Sequence, residues 1–312
     1  MELWFLGTSA GMPITERNVT SVVLRLSRMG GALWMFDCGE GTQHQLLRTP
    51  LKLTRLRKLF ITHLHGDHIF GIPGLLSSRA SLGATEPLDI YGPPGLHELA
   101  ETSLRISETH LGYPMQWHEV CEGIVCEDTV MKVETAALDH RIACFGYRVT
   151  ELPRAGSLNV QWLNELGLAP GPAYGRLKAG EDVTLPDGRF VRAAEAVGEP
   201  HGGRVVTVLG DTRPCAGSRK LAKGADVLIH EATFGKDLSD KAGEYGHSTT
   251  LQAAATARDA DAGQLFLTHF SSRYKPDDLS LLEAEAKQIF AHSEAAIELR
   301  PYAISLNNYK RK

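Results

Sequence analysis

A chain of 312 residues with 43% hydrophobic and 22% charged residues has an ordinary globular composition, long enough for a sizeable core and far from a disordered one. The formal net charge of -4 excludes a globally basic nucleic-acid binder, so any polyanion site has to be local. Five scattered cysteines without Cys-x-x-Cys argue against a disulfide framework; with no secretory signal pattern and no apolar run near the roughly 20 residues a bilayer requires, the prediction is a cytoplasmic protein.

In chain order, "LWFLGTSAG" and "TSVVLRL" open as strand-like runs and "LWMFDCGEGTQ" follows as strand and turn. "RTPLKLTRLRK", Arg48 to Lys58, carries five basic residues and no acid, which fits either a local polyanion patch or a solvated basic face. "FITHLHGDHIFG", Phe60 to Gly71, then crowds His63, His65, Asp67 and His68 directly behind an apolar run. Pro94 to Ile106 is predicted as a helix with Leu96, Leu99 and Ser103 on one face. From Gly156 to Arg189 the turn signals crowd too closely for long core elements, while Leu158, Val160, Trp162, Leu163, Leu166 and Leu168 suggest a small folded arm rather than a linker. Ser248 or Thr249 is the expected N-cap of an Ala-rich helix with Gly263 as its stop, and a last helix is expected from Leu279 to Phe290.

The final residue of each apolar run carries the chemistry. "LFIT" ends on His63, "VETAALD" runs into His140, "VVTVLG" ends on Asp211, "DVLI" leads to His230 and Glu231, and "LFLT" ends on His269. Metal-ligand types therefore gather at the carboxyl ends of strands, the edge of a layered α/β protein where ligands tend to bind. Residues two apart on an extended backbone share a side, so His63 and His65 face one ion, while Asp67 and His68, after Gly66, turn toward a second. Neutral imidazole suits zinc, and a carboxylate such as Asp211 is able to span two ions. Such an ion pair would lower the pKa of a bridging water toward neutrality and supply hydroxide for phosphoryl displacement. His44, His97, His110, His118, His201 and His292 lack a ligand-like context.

"THLHGDH" has the H-x-H-x-D-H pattern of the metallo-β-lactamase superfamily. With "FLGTSAGMP", "ERN", "FDCGEGTQHQLL", "LGDTRPC", "HEATF", "GHST" and "LTHFSSRY", nearly the whole chain resembles the ribonuclease Z family, also called tRNA 3′-endonuclease or ribonuclease BN. The resemblance implies a four-layer αββα sandwich of metallo-β-lactamase type, one domain over 1–312 with an inserted protruding exosite arm at about 156–189. It implies two Zn2+ ions per subunit, one on His63, His65 and His140 and the other on Asp67, His68 and His269, with Asp211 bridging and Asp37 steadying a ligand. Catalysis would fall to Asp67 as general base and to His247, oriented by Glu231, as the acid that protonates the leaving 3′ oxygen. Arg273 would contact a phosphate near the cut, and Arg176 and Lys178 would lie in the arm that grips tRNA. The implied function is zinc-dependent endonucleolytic removal of the 3′ trailer from precursor tRNA by a homodimer, leaving a 3′-hydroxyl. The rivals are another hydrolase or phosphodiesterase of the same fold and a non-catalytic RNA-binding scaffold.

Overall fold

The aliphatic and aromatic runs become strands of two large mixed sheets in a computed structural model that describes residues 1–185 and 187–305. Pro186 of the predicted arm and residues 306–312 of the predicted domain lie outside the described residues. Two compact units result: Met1–Thr150 together with the chain from Arg204 on, and Glu151–Gly203.

In the larger unit the first sheet orders Pro301–Ala303, Glu2–Gly7, Ser21–Leu26, Ala32–Phe36, Leu56–Phe60, Leu88–Gly92 and Met115–Glu119, with the last four parallel. The second orders Ser293–Ala295, Gln264–Thr268, Val227–Glu231, Val205–Val208, Cys144–Glu151, Met131–Leu138 and Gly123–Glu127, with the first four parallel. Strand alternation decides the layers. Val227 and Ile229 face the first sheet together with Val206 and Phe266, meeting Phe5, Trp34, Phe36 and Phe60. Phe60 stacks between Phe36, 5.0 Å away, and Tyr91, 4.8 Å away.

The intervening residues face outward under helices. Leu228, Leu265 and Leu267 pack beneath Ala216–Ala222, Thr250–Asp259 and Asp278–Lys287, which contribute Leu221, Ala253, Ala254, Ala257 and Leu282. Leu33, Met35 and Leu59 pack beneath Ile72–Ser81 and Leu96–Ile106. Each fully buried leucine among them contributes on the order of 2 kcal/mol. The stacking order is helix, sheet, sheet, helix, the four-layer sandwich expected from the sequence. Among the described residues no helix is long and apolar enough to cross a membrane.

Helix boundaries differ in detail from the sequence reading. The Pro94 segment turns helical only at Leu96, because Gly95 at φ 98 caps it; Leu96 and Ala100 are buried, and Leu99 and Ser103 of the expected face are half-buried, with Leu99 packed on the core. Thr249 is the N-cap of Thr250–Asp259, closing a capping box with Gln252, and the helix stops at Asp259, short of Gly263. The last helix spans Asp278–Lys287.

The smaller unit has its own apolar centre of Leu163, Leu177, Val183, Leu185, Val191, Ala193 and Ala196, with Trp162, Leu166 and Leu168 packed against it. Asn159 caps the short helix Val160–Glu165 by accepting from Trp162 N–H, Pro172 opens the helix Pro172–Lys178, and Val183–Thr184 pairs with Phe190–Val191. Arg176 is tied to Glu181 at 3.0 Å on the surface.

Candidate active site

The carboxyl ends of strands from both sheets converge in the larger unit, and their trailing residues meet there. His63, His65, His140 and Asp211 place donor atoms within 4.8 Å of one another, and Asp67, His68 and His269 form a second such group. Asp211 reaches both: Oδ1 is 3.6 Å from His68 Nε2, and Oδ2 is 3.7 Å from His63 Nε2, 3.9 Å from His140 Nε2 and 3.3 Å from His269 Nε2. His247 also lies within reach of Asp211 and His269, but its Nδ1 is engaged by Glu231 Oε1 at 3.1 Å.

Ring orientation follows from the other nitrogen of each imidazole. His68 Nδ1–H donates to Asp37 Oδ2 at 2.8 Å and His140 Nδ1–H to Gly246 O at 2.7 Å. Thr62 Oγ1 donates its one proton to Asp37 Oδ2, so it accepts from His63 Nδ1–H at 3.0 Å. Thr233 Oγ1 likewise donates to Glu231 Oε2 and accepts from His269 Nδ1–H at 2.9 Å. All four Nδ1 atoms are committed outward, which turns the Nε2 atoms toward the carboxylates. His65 differs, bringing Nδ1 to 3.2 Å from His140 Nε2.

The sequence reading missed the two threonine relays and a backbone donor, Gly11 N–H, which gives 2.7 Å to Asp67 Oδ2. The residues after strand ends are ligand types and signal themselves; threonine and a peptide N–H do not. Asp37 and His269 both adopt left-handed backbone, φ 58, a strained conformation held by the packing of two site residues.

Electrostatics at the cluster favour a cation. Burial alone would drive the His68 pKa down, but Asp211, Asp37 and Asp67 drive it well above the ordinary value. Burial and the neighbouring His68 hold His63 well below. The Asp211 carboxyl would rise on burial, yet His269, His68 and His63 hold it well below the usual range. For Glu231, burial is outweighed by the His247 ring. Burial opposes a charge on His247, but Glu231, Asp211 and Asp67 raise it to about 9. The excess of carboxylate that favours a proton on His68 equally favours a metal ion, and the buried His63 Nε2 has no hydrogen-bond partner, as a waiting ligand atom would.

A cavity of about 330 Å³ opens onto Asp67, Asp211, His247 and His269 and is also lined by Arg273. The Arg273 guanidinium sits 5.3 Å from the Phe234 ring centroid, and its Nε donates to Ser271 Oγ at 3.2 Å. The basic run Arg48 to Lys58 does not form one face. Lys58 turns inward over the Trp34 and Tyr91 rings and pairs with Asp89, while Arg55 and Arg57 bond backbone carbonyls of Gly30 and Thr54.

A family profile described as Anti-Pycsar protein Apyc1 matches residues 1–136. Ribonuclease Z of Lactiplantibacillus plantarum is 52% identical over 295 residues, 94% of this chain and 95% of that protein. The chain belongs to the ribonuclease Z family. It is thus an enzyme, a hydrolase of the nuclease class. The crystal structure of human tRNase Z, short form, is similar to this ribonuclease Z-family chain at a TM-score of 0.72 and 31% identity, covering 98% of this chain and 100% of that one. The metallo-β-lactamase fold protein YhfI of Bacillus subtilis, at 18% identity and a TM-score of 0.66 over 96% of this chain and 98% of its own, shares the fold.

Proposed function

We propose that this ribonuclease Z-family enzyme cleaves the 3′ trailer from precursor tRNA and leaves a 3′-hydroxyl on the tRNA. The observation that carries the proposal is the convergence of four histidine Nε2 atoms, each fixed by a committed Nδ1, on the doubly facing carboxylate of Asp211. Two Zn2+ ions per subunit suit that donor set: His63, His65 and His140 would hold one, Asp67, His68 and His269 the other, with Asp211 between them. Bound there, the ions would supply Lewis acidity that makes water a stronger acid and offsets phosphate charge.

The remaining chemistry belongs to this chain's side chains. Asp67, positioned by Gly11 N–H, accepts the proton of the attacking water. His247 gives a proton to the departing 3′ oxygen, with its ring oriented and its charge balanced by Glu231. Glu231 is itself fixed by Thr212 N–H, Ser248 N–H, Thr233 N–H and Thr233 Oγ1–H. Asp37 steadies His68 directly and His63 through Thr62. Arg273, seated on Phe234, takes a phosphate near the cut.

The segment 156–189 acts as an RNA-gripping exosite that brings Arg176 and Lys178 to the tRNA; its own apolar centre supports a folded arm rather than a linker. The working form is a homodimer in the cytoplasm. An apolar groove of about 620 Å³, with Leu47 77% and Leu82 56% exposed beside Leu46, Leu51 and Leu53, supports association with a second copy.

Incubation with a precursor tRNA, with and without chelator, tests the proposal. Chelator-sensitive cutting at one position next to the acceptor stem, with a 3′-hydroxyl on the tRNA fragment, is expected. Binding without cutting would indicate an RNA-binding scaffold, and hydrolysis of small phosphodiesters alone would indicate another phosphodiesterase of this fold.

A further inference from the structure

The cavity beside His247 carries two cation–aromatic pairs of unequal exposure. Arg273 lies over Phe234, whose ring is buried at 5% exposure. Lys241 Nζ lies 5.7 Å from the Tyr245 ring centroid, and Tyr245 is 41% exposed. Phe234 is therefore a seat for Arg273, whereas Tyr245, with Lys241 over its ring, still keeps enough exposed surface to meet a ligand. Lys241 and Tyr245 are four residues apart on the helix Ser239–Tyr245 and share a face.

That helix is pinned to the site. Gly246 O, the next carbonyl after Tyr245, accepts from His140 Nδ1, Gly243 O accepts from Arg213 Nε at 2.7 Å, and His247 N–H donates to Ala242 O at 2.8 Å. Tyr245 is thereby held at a fixed place relative to His140 and His247, and little conformational freedom is lost when a flat ligand meets it.

We propose that Tyr245 is the base-stacking residue of the cleavage site and Lys241 its phosphate partner, so that one nucleotide flanking the scissile bond is held by its base on the tyrosine ring and by its phosphate on the ammonium. The inference rests on the RNA-cleaving reading and adds a positioning pair to it. Stacking on a ring face accepts any base, so the pair fixes register without reading sequence. A single base–aromatic stack is worth about 1–3 kcal/mol, or roughly 5- to 150-fold in apparent affinity.

The test uses the full-length, metal-loaded enzyme and precursor tRNAs carrying 2-aminopurine at the nucleotide on one or the other side of the cut. Wild type is expected to quench the fluorescence of one of the two labels on binding. Tyr245→Leu should lose that quench and raise KM about fivefold or more, whereas Tyr245→Phe and Tyr245→Trp keep the ring and should retain both the quench and a KM within about twofold of wild type. Lys241→Gln should reduce the slope of log KM against log salt by about 1, as loss of one phosphate contact requires. Tyr245→Leu with unchanged quench and KM would overturn the stacking role, as would equal losses in the Leu, Phe and Trp variants. Failure of the wild type to cut either RNA would instead overturn the reading beneath it.

Discussion

Glu231→Gln tests the acid role of His247, because it removes the charge beside that ring, although Glu231 also reaches His269 through Thr233. Glu231 is buried at 1% exposure. Its Oε1 accepts from Thr212 N–H at 3.1 Å, Ser248 N–H at 3.0 Å and His247 Nδ1–H at 3.1 Å, and its Oε2 accepts from Thr233 N–H at 3.0 Å and Thr233 Oγ1–H at 2.7 Å. A glutamine presents two hydrogens on one side. Its least unfavourable orientation points them at Thr233, where the hydroxyl is able to rotate but the backbone N–H is left facing another donor. One orphaned buried donor costs about 1–3 kcal/mol of stability. The negative charge that holds a proton on His247 is lost as well, and removal of a general acid typically lowers the rate by about 10²-fold or more. Single-turnover cleavage of precursor tRNA at saturating metal should therefore slow about 10²-fold, the saturation offsetting any loosening of His269 through Thr233. Hydrolysis of a p-nitrophenyl phosphodiester, whose leaving group departs without a proton, should fall far less. Equal losses on the two substrates would refute the acid relay, and near-normal tRNA turnover would remove Glu231 and His247 from the chemistry altogether.

Gly246→Ala, at φ 81 with a Cβ 2.9 Å from His140 Nδ1, should displace that ring from its carbonyl partner and weaken metal binding about 10- to 100-fold, measured by competition with a chromogenic chelator; unchanged affinity would deny that partner any role. Glu151 and Gly203 lie side by side, since a Cβ on Gly203 would meet Glu151 O at 1.5 Å, so residues 152–202 are replaceable by a short glycine linker. That deletion should raise KM for precursor tRNA about tenfold or more and leave small-phosphodiester hydrolysis little altered, an effect in line with loss of a second binding site; parallel losses on both would refute the exosite. Burial pushes the Glu298 carboxyl from 4.5 up to about 7, against the pull of donors on Asn18 and Thr8. The folded state thus holds this proton more tightly than the unfolded chain, so its contribution is complete below pH 4.5 and is lost as pH rises through 7. Denaturant midpoints between pH 5 and 8 should fall less steeply in Glu298→Gln than in wild type, and identical slopes would contradict the assignment.

The strands and the ligand-type residues at their ends were legible because they rest on local pattern, whereas the four-layer arrangement came from the family resemblance. The unbroken apolar run Val227, Leu228 and Ile229 announces a strand with two buried faces, and His63, Asp211 and His269 announce themselves by standing where apolar runs stop. The devices that aim those ligands were not legible. Thr62 and Thr233 act through hydroxyls that each link a near neighbour, His63 or Glu231, to a residue distant in sequence, Asp37 or His269, and Gly11 acts through its backbone. Lys58 shows the opposite failure: composition grouped it with a basic surface, whereas its spacing of two from Phe60 places it on the inward face of the strand. The late start of the helix at Leu96 follows from the left-handed Gly95, a conformation that the favourable Pro94 concealed.

The most direct measurement is stepwise titration of chelator-stripped enzyme with Zn2+, following bound metal by calorimetry and precursor-tRNA cleavage in the same samples. Two ions per chain should bind, and activity should be absent at the start and complete when the second has bound. Full cleavage activity in protein shown by elemental analysis to contain no metal would contradict the role assigned to the converging histidines and Asp211.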